Sequence, residues 1–144
     1  MLKELEYPFD NEYILKKSKH LKKQLLTDGS VRVEKRIAVL GGSTTHDVVR
    51  VLELFLLNYG IAPVFYESEY AQFWEDAMFG NEKLNAFHPD IIYIHTSNRN
   101  IRFWPSAGCS EKEVEELLNQ QFEYFHAVWT NIQAVWRCPV IQNN

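Results

Sequence analysis

The chain has 144 residues, enough for one domain with a real core, and its 46% hydrophobic and 14% aromatic content excludes a disordered polymer. A net charge of −4, from 15 basic and 19 acidic residues, excludes a general nucleic-acid binder. Two cysteines are too few for a disulfide framework, and no apolar run is long enough to cross a bilayer. Together with an N-terminus that lacks a signal-peptide pattern, these features predict a cytoplasmic protein with reduced thiols and no membrane partner.

Asp10 is placed to cap a helix running to about Thr27, with Ile14, Leu15, Leu21, Leu25 and Leu26 at helical spacing and Asp28-Gly29 as its stop. Lys16, Lys17, Lys19, Lys22 and Lys23 fall mostly on the other faces, where a solvated surface is the expectation. Residues 1–30 thus read as an N-terminal helical segment and 31–144 as an α/β domain. The first strand is expected over Arg36 to Leu40. The helix that follows, from about Thr45 to Asn58, has almost no polar face, so it should lie between the sheet and another element.

Pro63 to Tyr66 reads as a second strand, Tyr70 to Met78 as an aromatic helix, and Asp90 to His95 as a third strand covered on both faces. A long connection from Thr96 to Cys109 has the length of a lid or binding loop. Ser110-Glu111-Lys112-Glu113 is a capping box that opens the last helix, and a bend is expected near Thr130-Asn131. Cys138 to Gln142 makes a fourth strand. Strand and helix alternate throughout, which implies a three-layer, doubly wound parallel sheet with right-handed crossovers. Such a sheet seldom stops on a strand. The expectation is therefore the front part of a longer polypeptide, its last strand exposing an apolar face and an edge that favour a homo-oligomer.

The segment Ile37-Ala38-Val39-Leu40-Gly41-Gly42-Ser43-Thr44-Thr45-His46-Asp47 points to a place for chemistry. A buried strand that stops at two glycines and opens a helix sets a serine hydroxyl and open N–H groups at the carboxyl edge of the sheet. Ser43 is the candidate nucleophile or anion contact there, and helix capping by Ser43, Thr44 or Thr45 is the plainer reading. Asn98, just after the third strand, is the candidate oxyanion donor if the first and third strands are neighbours. Gly41, Gly42, Thr44, His46, His95 and Arg99 are expected to wall the same pocket. No histidine pair or cysteine–histidine cluster has metal-ligand spacing, and no cofactor is expected.

Gly41-Gly42-Ser43 after a first strand, with Thr96-Ser97-Asn98-Arg99 after a third, resembles the SGNH (GDSL-type) hydrolases, whose serine and asparagine blocks occupy those places. The longer string from Ile37 to Ile101, with Tyr66 to Asp76, Pro89 to Asn100 and the closing Gln142-Asn143-Asn144, looks like the N-terminal domain of FkbH-like proteins. The resemblance implies an SGNH-hydrolase-like or flavodoxin-like fold joined to a downstream phosphatase domain of the haloacid-dehalogenase superfamily. It also implies ester or acyl-group handling beside an acyl carrier protein. Gly42 and Arg99 stand where the hydrolases have aspartates, and the Asp-x-x-His block that supplies their general base is not in these residues. Hydrolase or acyltransferase-related activity and a non-catalytic docking role therefore both stand as readings. His46-Asp47-Val48-Val49 also resembles the first loop of cobalamin-binding domains, but Thr44 and Val49 replace two of its three motif residues. A flavodoxin-like anion site at Ser43, Thr44 and Thr45 is a further alternative.

Overall fold

A computed structural model describes residues 1–143. Four strands, β1 (Val33–Gly41), β2 (Ile61–Glu67), β3 (Ile91–His95) and β4 (Val140–Gln142), form one sheet in the order β2-β1-β3-β4. All three pairings are parallel; Gly41 stands opposite His95 and Val39 opposite Glu67. This is the doubly wound arrangement expected from the alternation of elements. The chain crosses from β1 to β2 on one side and then returns past β1 to β3 on the other, so the switch point lies at the carboxyl ends of β1 and β3.

The helices are α1 (Asn11–Thr27), α2 (His46–Asn58), α3 (Phe73–Phe79), α4 (Glu82–Phe87) and α5 (Glu111–Trp136). On one sheet face Ala38, Leu40, Ile92 and Ile94 meet Phe73, Ala77, Leu84, Val128 and Ile132 from α3, α4 and α5. On the other, Ile37, Val39, Phe65 and Tyr93 pack on Val49 and Leu56 of α2. The opposite flank of α2, Leu54 and Leu57, is sealed by Ile14, Leu21 and Leu25 of α1. Here is the reason α2 has so little polar surface: α1 forms an extra layer outside the three-layer sandwich. Arg32 ties the ends of these two helices together, its Nε donating to the Leu57 carbonyl at 2.8 Å and its Nη2 to Asp28 at 2.7 Å.

A third flank of α2 is not sealed. Val48, Leu52 and Leu56 border an apolar groove of about 240 Å³ with Ile91, Tyr93 and Ile141, and Ile141 on the edge strand is 54% exposed.

Several boundaries differ from expectation. β1 and β2 are longer than the apolar runs, because backbone pairing carries Val33↔Ile61 through Lys35↔Pro63 with exposed or half-buried side chains. The aromatic helix begins at Phe73, after Ala71 at φ 58, and a second short helix, α4, follows on an Asn81 cap. The capping box at Ser110 and Glu113 forms, and α5 runs without a break through Thr130-Asn131. Asn131 instead sends its amide to the Ala77 and Met78 carbonyls, so a polar residue inside the helix serves as a tie to α3.

The long connection is moored to α5. The Arg102 and Phe103 N–H groups donate to Gln121 Oε1, and the Arg102 guanidinium lies over the Tyr124 and Trp74 rings. No helix is long and apolar enough to cross a membrane among the described residues.

Candidate functional site

The site is built where the loops after β1, β2 and β3 converge. Gly42 N–H donates to the His95 carbonyl at 2.8 Å, which extends the β1–β3 ladder past the last paired residues. Gly41 N–H donates to Ser68 Oγ at 2.8 Å, tying in the loop after β2. Both glycines are required by space rather than by φ. A Cβ on Gly41 would stand 2.6 Å from Thr45 Cγ2, and one on Gly42 would overlap the Asn100 amide.

Asn100 is the residue that crosses the cleft. Residues Asn98–Asn100 form a single 3₁₀ turn with a capping box between Ser97 and Asn100. Asn100 Oδ1 accepts from Ser97 N–H at 2.9 Å while its Nδ2 donates to the Gly42 carbonyl at 3.2 Å. The loop after β1 and the turn after β3 are therefore joined directly. Asn98 sits exposed at the start of the turn, and no partner among the described residues holds its side-chain amide. Asn100 is thus the strut, and Asn98 lies on the rim with Arg99, which is also exposed.

Ser43 is half-buried at the mouth of the cleft, its hydroxyl without a partner among the described residues, and Thr44 is exposed. The plainer capping reading does not describe this helix. Thr45 occupies the N-cap position of α2, but its Oγ1 donates to Glu67 Oε2 at 2.9 Å instead of accepting from the first turn. Glu67 Oε1 faces His46 Nδ1 at 3.8 Å, and the His46 side chain is largely exposed. His95 is engaged by its own strand, with Tyr93 Oη 3.0 Å from its Nδ1. Burial pushes the Tyr93 phenol up from its ordinary range.

The floor below Thr96 is a chain of amides. Asn143 clamps Thr96 from both sides, accepting its N–H and donating to its carbonyl, each at 2.8 Å. Gln142 Nε2 donates to Thr96 Oγ1 at 3.1 Å, and Trp129 Nε1 holds Gln142 Oε1 at 2.7 Å. Thr96 is buried and fully engaged.

Glu67, Ser68, Asn100, Gln142 and Asn143 lay inside the strings that carried the family resemblance. Nothing in their spacing assigned them a role. Among the described residues no group of three or more His, Cys, Asp or Glu side chains is arranged to hold a metal ion.

A doubly wound parallel domain whose loops after β1 and β3 are joined at the switch point is the class that fold and geometry define. One solved structure, the N-terminal part of the protein BF1531 from Bacteroides fragilis, containing a phosphatase domain complexed with Mg, is similar over 90% of this chain, with a TM-score of 0.67 and 17% identity. The match covers 32% of that chain, so the present chain spans about a third of its length. No protein-family model and no curated protein matches the chain.

Proposed function

We propose that this chain is the SGNH-hydrolase-like N-terminal domain of an FkbH-like protein of the haloacid-dehalogenase superfamily, and that it handles an ester or acyl group at Ser43. Ser43 is the nucleophile and Asn98 the oxyanion donor, with an acyl carrier protein or a downstream phosphatase domain as partner, in the cytoplasm. The observation that supports this most is the lacing of the Ser43 loop to the Asn98–Asn100 turn through Asn100 and Gly42. The Ser43 hydroxyl and the Asn98 side-chain amide, one on each of these loops, have no partner among the described residues.

A second reading, a positioning module that holds a substrate for a neighbouring catalytic domain, is favoured by one observation: no base is hydrogen-bonded to Ser43 among the described residues. A serine without one is a poor nucleophile near neutral pH. Treatment with a fluorophosphonate probe separates the two. Slow labelling confined to Ser43 and lost in Ser43→Ala is expected for the nucleophile; no labelling would remove that role and leave the positioning module.

A further inference from the structure

Charge is distributed unevenly over this protein. Helix α1 carries five lysines and one glutamate in 17 residues; removing them from the total leaves ten basic residues against 18 acidic ones. The basic helix is also the outer layer, and its inner edge forms one wall of a cleft against α2. That cleft, of about 240 Å³, is lined by Ser18, Lys19 and Lys22 on α1 and by His46, Arg50 and Glu53 on α2.

Three permanent cations there face one carboxylate. Lys22 is satisfied by Glu53 at 2.8 Å. Lys19 has no ion-pair partner among the described residues. Arg50 is only partly satisfied: its Nη2 is 3.3 Å from the exposed carboxylate of Asp47, while its Nε is buried without a partner among the described residues. The Arg50 side chain is 41% exposed, so its guanidinium can take an oxyanion alongside Asp47. The end of α2 adds to this. Because Glu67 takes the Thr45 hydroxyl, no side chain caps the first turn that His46 opens, and its N–H groups carry the positive end of the helix dipole.

We propose that the α1–α2 cleft binds a phosphate dianion, free or as the monoester of a small organic group, with Lys19 and Arg50 as its cationic contacts and the His46 end of α2 above it. The three cations of the cleft outnumber the carboxylates beside them, Glu53 and Asp47, by one. The volume suits a phosphoryl group with a small substituent. An extended polyanion such as a nucleic acid would run from this helix onto surfaces where acidic residues dominate. This site stands apart from the question of whether Ser43 is a nucleophile, although His46 places it at the edge of the same loop.

Titration of the full chain with inorganic phosphate and with phenyl phosphate at constant ionic strength, followed by amide resonances, tests the site. Saturable shifts at Lys19, His46 and Arg50 are expected at millimolar ligand. Lys19→Gln combined with Arg50→Gln should weaken binding by roughly tenfold or more, each being a charge-assisted contact. Lys16→Gln with Lys17→Gln should leave it unchanged, and Lys19→Gln alone serves if the double variant does not fold. Tighter binding of phenyl phosphate assigns an ester, and tighter binding of inorganic phosphate assigns the free ion. Absence of saturable shifts in the cleft, or equal loss from the Lys16/Lys17 variant, would overturn the proposal.

Discussion

The Asn100 side-chain amide nitrogen lies 3.2 Å from the Gly42 carbonyl oxygen, against the Cα where any other residue would put a side chain. One amide thereby couples the loop after β1 to the turn after β3. It also explains why the second glycine of the pair is a glycine.

Gly42→Ala should destabilise the fold by about 1–3 kcal/mol, the usual range for an extra group forced into a packed site. Equilibrium urea unfolding reads the loss. In an Asn100→Gly background the same substitution should be markedly milder, because the clashing amide is gone; equal losses in both backgrounds would show that the two loops are not coupled here.

Asn143→Ala should cost about 1–3 kcal/mol, since it strips partners from both the N–H and the carbonyl of buried Thr96. Hydrogen exchange at the Thr96 amide is the specific readout. Faster exchange there, with the strand interior unchanged, is the expected outcome.

The Arg32 guanidinium beside Asp28, helped by the Ser30 N–H, holds the Asp28 carboxyl down from 3.8 to about 2. A depressed pKa means that the pair's contribution is complete above the ordinary carboxylate range and is lost as pH falls through the folded value. Unfolding midpoints measured from about pH 5 down to about pH 2 should therefore fall more steeply in the native chain than in Asp28→Asn.

The apolar flank of α2 and the half-exposed Ile141 on the edge strand favour self-association, which we propose takes place through this edge. Sedimentation velocity over a concentration series should show a concentration-dependent larger species that Ile141→Lys abolishes. A monomer at every concentration would contradict it.

The architecture was readable from residues because it depends on period and alternation. Ile37 to Leu40, the all-round apolar α2 and the Ser110–Glu113 box each announce one element, and their order dictates the sheet. That β1 and β3 are neighbours was open in the sequence and is given by the sheet order. The site was readable only in outline. Ser43 and the two glycines stand at a junction whose function is topological, whereas the roles of Asn98 and Asn100 depend on a 3₁₀ turn that no pattern marks. Thr45 is the sharper case. Its residue type favours capping, yet Glu67, remote in sequence but adjacent across the β1–β2 ladder, takes its hydroxyl. Gln142 and Asn143 escaped notice for the same reason, because a polar tail reads as solvent-exposed until Thr96 is seen between its amides.

The account depends on Ser43 and Asn98 facing one ligand. A short alkyl boronic acid, which becomes a tetrahedral anion on a serine hydroxyl, tests that most directly when titrated into isotope-labelled protein. Joint shifts of the Gly42 and Ser43 backbone amides and of the Asn98 side-chain amide, absent in Ser43→Ala, are the predicted result. Saturating boronate that moves neither Ser43 nor Asn98 would contradict it.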